Sequence, residues 1–143
     1  RQRQMCIRDR LYKLGEDIRR RGGKIPGNEN ELRDSGFIGL YVTNAFELFI
    51  LRNRKPLLDV NMSRLLKRYF KPGDFIDVRH DKEIQELAND IIEVRRCKEL
   101  NWAILDYAAL VCKTRNPLCG ECVLNKHCKY YELSQGDVTE EPE

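Results

Sequence analysis

Apolar residues recur three and four positions apart through most of the chain. This spacing places them along one face of an amphipathic helix. The predicted apolar faces are, in chain order, Leu11, Leu14 and Ile18; Val42, Ala45, Phe46, Phe49 and Ile50; Met62, Leu65, Leu66, Tyr69 and Phe70; Ile84, Leu87, Ala88, Ile91 and Ile92; and Leu100, Ala103, Ile104, Tyr107, Ala108 and Val111. No segment alternates convincingly with the period of two that indicates a half-buried strand. The pattern therefore predicts an all-α protein.

Turn residues mark where the predicted helices end, and the two terminal segments of the chain have compositions that set them apart from the helices. Gly22-Gly23 ends the first helix, and Pro72-Gly73 predicts a turn after the third. Residues 1–10, RQRQMCIRDR, lack periodicity and are typical of a translated linker, so we expect a non-native leader outside the fold. Residues 132–143, ELSQGDVTEEPE, contain five acidic residues and no Lys or Arg, a composition typical of a disordered tail.

Composition narrows the class of protein. The 143 residues are enough for one ordinary domain or two small ones. The acidic tail makes the rest of the chain more basic than the net charge of +3 indicates. A basic body favours an anionic partner, most often nucleic acid, although solvated helix faces explain the charge equally well. No apolar run approaches the roughly 18 residues of a membrane span, and no secretory signal is present. We therefore expect a cytoplasmic, nucleoid-associated protein that contacts no membrane.

Four of the six cysteines lie in one short stretch, CKTRNPLCGECVLNKHC. They are Cys112, Cys119, Cys122 and Cys128. In a reducing compartment such a group indicates metal or cluster ligation rather than a disulfide framework. Zinc and iron–sulfur clusters both take four cysteines, but zinc sites usually pair them closely, and here the only close pair is the CxxC in the middle. Four unliganded thiols are the alternative reading.

The motifs together resemble the helix-hairpin-helix DNA glycosylases. The cysteine spacing after NWAILDYAALVC resembles the [4Fe-4S] loop of that superfamily, which includes endonuclease III, the MutY adenine glycosylases and the thymine–DNA mismatch glycosylases. LRDSGFIGLYVTNAF resembles its hairpin, and KPLLDVNMSRLLKRYF resembles the segment that carries its catalytic aspartate. The resemblance extends from about Leu11 to Tyr131. It implies a partial helical barrel with the hairpin over residues 11–58, and a [4Fe-4S] cluster domain over residues 59–131.

The resemblance also assigns the hairpin a role in DNA binding. Gly36 and Gly39 flank the GFIG turn, where backbone N–H groups can approach a phosphate closely. A simple packing turn explains the same two glycines. The sequence departs from the family pattern Leu-Pro-Gly-Val-Gly, because Gly36 and Phe37 stand where the proline and the first glycine belong.

Asp59 and Tyr41 are the predicted catalytic residues. Asp59 precedes the helix VNMSRLLKRYF, so the residues alone favour a helix N-cap. The resemblance implies instead a carboxylate that stabilises positive charge on the sugar as the N-glycosidic bond breaks. Tyr41 stands where endonuclease III has a Schiff-base lysine, and tyrosine there is similar to the mismatch glycosylases. A plain surface tyrosine is the alternative reading. The resemblance thus implies a monofunctional glycosylase acting on thymine or uracil opposite guanine.

The remaining expectations concern DNA and the extent of the protein. We expect Arg64, Lys113 and Arg115 to contact phosphates of duplex DNA that contains a mismatched or damaged base, although solvated surface positions explain them too. We expect a monomer. The family has further helices before the point that matches Leu11, so we expect the C-terminal portion of a glycosylase, which on its own can be inactive. Two alternatives stay open: a MutY-type adenine glycosylase, and a non-catalytic DNA-binding module stabilised by a metal.

Overall fold

The computed structural model describes residues 2–34, 39–73, 77–78 and 80–136. Within these residues the helices are α1 (Gln2–Arg20), α2 (Glu29–Asp34), α3 (Leu40–Phe49), α4 (Val60–Phe70), α5 (Lys82–Ile92), α6 (Cys97–Leu110) and α7 (Lys129–Gly136), with 3₁₀ turns over Cys119–Glu121 and Asn125–His127. No strand occurs in this part of the chain, as the all-α prediction requires. None of the helices described is both long enough and apolar enough to cross a bilayer.

The chain forms two compact units, Arg1–Asn53 and Arg54–Glu143. The boundary therefore lies before Arg54, whereas the sequence placed it before Asp59. The segment that leads into α4 belongs to the second unit because Asn101 of α6 holds it there. The Leu57 N–H donates to Asn101 Oδ1 over 2.6 Å, and the Asn101 amide donates to the Lys55 carbonyl over 3.2 Å.

The first unit begins with a longer helix than the sequence predicted. Helix α1 starts at Gln2, so it includes most of the leader that we expected to lie outside the fold. It ends where predicted, because Gly22 and Gly23 have φ angles of 66° and 83°. These left-handed conformations end a helix readily at glycine, and the Gly23 N–H closes the last turn on the Ile18 carbonyl over 2.9 Å.

The buried face of α3 differs from the apolar face that the sequence predicted. The buried residues are Thr43, Asn44, Glu47 and Leu48. Val42 and Ile50, both expected in the core, are 53% and 63% exposed, so their predicted burial was wrong. Helix α2 packs against α3 in this unit, and a helix buries the side that meets its neighbours even when another side is more apolar.

The second unit is built around α4, which packs against α5, α6 and α7. Its core consists of Leu58, Met62, Leu65, Leu66, Ile84, Ala88 and Ala108. These positions confirm most of the predicted apolar faces of α4 and α5, but Phe70 at the end of α4 is 46% exposed. The acidic segment predicted as a disordered tail begins inside α7, which extends to Gly136, and residues 137–143 lie outside the described residues.

Candidate catalytic and cysteine-rich sites

Asp59 is the N-cap of α4, with an extended backbone at φ −111° and ψ −173°. Its Oδ1 accepts from the backbone N–H groups of Asn61 and Met62, each over 2.8 Å. Its Oδ2 accepts from the Asn61 side-chain amide over 2.8 Å. The carboxylate is half-buried and fixed in direction. Each carboxylate oxygen has more than one lone pair, so Oδ2 has capacity for a second donor.

Arg64 connects this carboxylate to the end of α6. Its guanidinium donates to the Asn61 side-chain oxygen over 3.1 Å. It also donates to the carbonyls of Ala108 and Cys112 over 2.7 and 2.9 Å. A cation is favourable at a helix C-terminus, where carbonyls are left without partners. Arg64, predicted to contact DNA, therefore has a structural role between the Asp59 cap and the start of the cysteine loop.

The hairpin residues belong to the first unit. Gly39 caps α3 with φ −83° and ψ 168°, which any residue can adopt, and a Cβ added there would meet no atom of the described residues within 4 Å. Glycine is therefore not required by the backbone at this position, and the open surroundings leave room for a ligand to approach. Tyr41, in the first turn of α3, is 43% exposed. Gly36 lies outside the described residues.

The four predicted cysteine ligands lie in the second unit, all half-buried and none in a disulfide. The loop from α6 is closed where the Leu118 N–H donates to the Val111 carbonyl over 3.0 Å. Short 3₁₀ turns at Cys119–Glu121 and Asn125–His127 bring the later cysteines back towards the first. Burial raises the pKa of Cys119, and the charges of Cys112, Cys122 and Cys128 raise it further.

Four free thiols in one loop have the donor chemistry of either a zinc ion or an iron–sulfur cluster. In the part of the chain that is described, no three His, Cys, Asp or Glu side chains converge closely enough to hold one metal ion. A tetrahedral zinc site with bonds of about 2.3 Å needs its sulfurs in mutual contact. A cubane cluster separates its ligands further, because each cysteine binds a different iron.

Two residues beside the cysteines were not predicted as site residues. Arg68 Nη1 lies 3.5 Å from Cys112 Sγ, and Cys128 Sγ lies 3.5 Å from the Arg68 carbonyl. The Tyr107 hydroxyl donates to Cys122 Sγ over 3.2 Å. The sequence shows Arg68 one turn after Arg64, at a spacing that puts both on one face of α4. It shows Tyr107 only as part of an apolar face, so its polar role was missed.

The predicted DNA contacts of the loop are exposed side chains. Lys113 and Arg115 both lie at the surface, directly after the first cysteine. The backbone next to them is fixed, since Arg68 donates to the carbonyls of Lys113 and Thr114 over 2.7 and 3.2 Å. The loop thus presents cations from a restrained backbone, which suits contact with phosphates.

Comparison with known proteins agrees with this architecture. A thymine/uracil-DNA glycosylase of Methanothermobacter thermautotrophicus is 30% identical over 112 residues, 78% of this chain and 50% of the relative. A thymine-DNA glycosylase of Aeropyrum pernix is 34% identical over 125 residues, 85% of this chain and 56% of the relative. The solved structure of a thermostable thymine-DNA glycosylase matches with a TM-score of 0.76 at 28% identity, covering 87% of this chain and 58% of that one. No family model matches the chain.

The chain is all-helical where it is described, and it is similar in fold to a DNA glycosylase. More particularly, its sequence is similar to those of proteins named thymine/uracil-DNA glycosylase and thymine-DNA glycosylase, which confirms the predicted resemblance. The chain spans about half the length of these relatives.

Proposed function

We propose that this chain is the C-terminal part of a base-excision DNA glycosylase that removes thymine or uracil opposite guanine. The observation that carries the proposal is the Asp59 carboxylate, fixed at the start of α4 by Asn61, in a chain similar to proteins named thymine/uracil-DNA glycosylase. The substrate is duplex DNA, so the protein works in the cytoplasm at the nucleoid, and it acts as a monomer.

Asp59 is the proposed catalytic carboxylate. Such an enzyme extrudes the wrong base from the duplex, and a mismatched base costs less to unstack than a paired one. Positive charge then develops on the sugar as the N-glycosidic bond breaks, and a fixed anion stabilises it without reorganising. Because Asn61 and the N-terminal amides of α4 hold one orientation, the carboxylate can also accept a proton from the attacking water at Oδ2.

Tyr41 distinguishes the proposed monofunctional glycosylase from a glycosylase that also acts as a lyase. A phenol forms no Schiff base with the sugar, so base release leaves the DNA strand intact. Its exposed position on the first turn of α3 leaves it accessible to DNA. Gly36 and Gly39 of the hairpin contact the phosphate backbone in this proposal, with Lys113 and Arg115 adding further contacts from the second unit.

The cysteine loop is the proposed cofactor site. Cys112, Cys119, Cys122 and Cys128 would hold a [4Fe-4S] cluster, which supplies a covalent anchor for the loop rather than chemistry at the sugar. The four free, half-buried thiols of the loop support a shared metal group there. Lys113 and Arg115 then project from an anchored backbone, and Arg64 links the same loop to Asn61 beside the catalytic carboxylate.

A non-catalytic DNA-binding module is the second candidate. The observation that favours it is the hydrogen bonding of Asp59, since the carboxylate already acts as a helix cap to α4. Under this alternative the chain binds duplex DNA with a strong salt dependence and releases no base.

The test compares base release by the wild type and by Asp59→Asn, each extended with the N-terminal half that completes the proposed glycosylase. Asparagine is also a good N-cap, so the fold is preserved while the negative charge is removed. We expect release of thymine from a thymine–guanine duplex, and of uracil from a uracil–guanine duplex, by the wild type and loss of both in the variant. Strand breaks are expected only after alkali, and borohydride should trap no adduct.

Binding of the same duplexes is the control for this test. Both proteins should bind them equally, and circular dichroism should be unchanged. Equal binding without base release by either protein would support the module instead. Release of adenine opposite oxidised guanine would point to the MutY type.

A further inference from the structure

Arg68 contacts both ends of the cysteine-rich segment from one position on α4. Its Nη1 lies 3.5 Å from Cys112 Sγ and donates to the Lys113 carbonyl over 2.7 Å, while Nη2 donates to the Thr114 carbonyl over 3.2 Å. At the other end, Cys128 Sγ lies 3.5 Å from its backbone carbonyl. Arginine suits this role because its planar guanidinium has donors in a fixed geometry.

The Arg68 guanidinium is itself held from the far side. The ring of Tyr130 lies under it, 4.7 Å from the guanidinium carbon to the ring centroid. A cation over an aromatic face is attracted to it, and more so when partly removed from water. Tyr130 follows Cys128 closely in the chain, so this contact ties the start of α7 to α4. The Arg68 side chain therefore contacts the first cysteine directly, and reaches the region of the last cysteine through the ring of Tyr130.

Tyr107 makes the corresponding contact with the middle of the segment. Its hydroxyl donates to Cys122 Sγ over 3.2 Å and accepts from the Val123 N–H over 3.0 Å. Both partners are on the loop, whereas the tyrosine is on α6, so the hydroxyl joins the two elements.

We propose that Arg68 and Tyr107 are positioning residues for the metal group of the loop, and that they set its reduction potential. The inference rests on the proposed cluster. A hydrogen bond or a cation at a ligand sulfur stabilises negative charge there, and a reduced cluster carries more negative charge than an oxidised one. Donors from Tyr107 and Arg68 therefore favour the reduced state and raise the potential. Arg68 also fixes the ends of the loop, so it retains the metal group.

Tyr107→Phe tests the effect on the potential. The substitution removes one hydroxyl and keeps the ring, so we expect unchanged iron and sulfide content and a lower midpoint potential by spectroscopic titration. The net free energy of one hydrogen bond corresponds to about a three- to tenfold smaller ratio of reduced to oxidised cluster at a fixed applied potential. The matched control is Tyr130→Phe, because the ring of Tyr130, not its hydroxyl, makes the contact with Arg68. It should leave the potential unchanged.

Arg68→Met and Arg68→Lys test retention of the metal group. Second-layer partners of metal ligands are worth about ten- to a hundredfold in metal affinity, so we expect Arg68→Met to lose iron to a chelator at least about tenfold faster. Lysine keeps the positive charge but not the paired donors of the guanidinium. Compared with Arg68→Met, Arg68→Lys should therefore restore the reduction potential more fully than it restores the retention of iron. Arg96→Met is the control, since Arg96 is exposed and pairs with Glu99 on α6.

The outcomes separate this inference from the proposed function. Iron and sulfide in the wild type, with a potential and an iron-loss rate that neither variant changes, would overturn the roles of Arg68 and Tyr107 and leave the glycosylase intact. Absence of iron and sulfide from wild-type protein purified without air would overturn both the cluster and this inference. Base release from mismatched DNA is measured separately and decides the proposed function alone.

Discussion

The two units differ in whether the apolar face of a helix is also its buried face. In Arg54–Glu143 the apolar face of α4 is the buried face, with Met62 fully buried and Leu66 2% exposed. In Arg1–Asn53 the apolar residues Val42 and Ile50 are exposed, while Glu47 is 3% exposed. A periodic pattern thus identifies a helix in either unit. It identifies the buried side only where the neighbouring elements pack against that side.

Truncation of matched apolar residues gives the largest expected difference between the units. Met62→Ala removes a fully buried side chain from the second-unit core, and we expect a loss of about 2–5 kcal/mol in the free energy of unfolding. Ile50→Ala removes a side chain that is 63% exposed, and we expect a change within about 0.5 kcal/mol. Denaturant melts followed by circular dichroism measure both. Equal losses would show that the exposed face of α3 is buried in solution.

Asn101 tests whether the second unit depends on a buried polar anchor. Its side chain accepts from the Leu57 N–H and donates to the carbonyls of Lys55 and Cys97. Asn101→Ala takes the side-chain acceptor from the buried Leu57 N–H and removes both amide hydrogen bonds, so we expect a loss of about 3 kcal/mol in the free energy of unfolding.

Asn89→Ala is the matched control for this measurement. Asn89 donates to the carbonyl four residues earlier, that of Gln85, over 2.7 Å, but at the surface. We expect a change below about 0.5 kcal/mol for it. A similar loss in both variants would mean that helix propensity, and not the anchor to the segment before α4, causes the effect.

The Lys67–Asp81 ion pair gives a smaller, pH-dependent effect in the second unit. Lys67 Nζ lies 2.6 Å from Asp81 Oδ2, with side chains that are 14% and 10% exposed. The hydrogen bond from Lys67 lowers the pKa of Asp81 below its ordinary value. The unfolded chain therefore binds a proton at higher pH than the folded chain does, so the pair stabilises fully above about pH 4 and loses its contribution as the pH falls through the lowered pKa.

Asp81→Asn removes this dependence and keeps a side chain that can cap α5, as Asp81 does through the Ile84 N–H. We expect the free energies of unfolding of wild type and variant to differ at neutral pH and to converge at low pH. Fluorescence of Trp102, the chain's single tryptophan, follows the unfolding of the second unit. Asp90→Asn, on the exposed side of α5, is the control. Curves for Asp81→Asn that run parallel to the wild type throughout would contradict the linkage.

Some residues of the candidate site were predicted from the sequence pattern, and others became apparent only from the packing of the elements. The spacing of Cys112, Cys119, Cys122 and Cys128 predicted a shared ligand, and the local sequence predicted Asp59 as a helix cap, which the structure has. Arg68 and Tyr107 were missed because their roles depend on partners in other elements. Arg68 contacts Cys112 from 44 positions earlier in the chain, and no periodicity links two such positions.

The sequence by itself determined the helical class, the end of α1 at Gly22-Gly23, the start of α4 at Asp59, and the grouping of four thiols. Each of these depends on interactions between residues near in the chain, through backbone preference, helix capping and cysteine spacing. Only the tertiary structure decided that α3 buries Thr43 and Glu47, that Asn101 draws the segment before α4 into the second unit, and that Arg64 and Arg68 face the loop after α6. These depend on contacts between elements distant in the chain, which the order of residues alone does not specify.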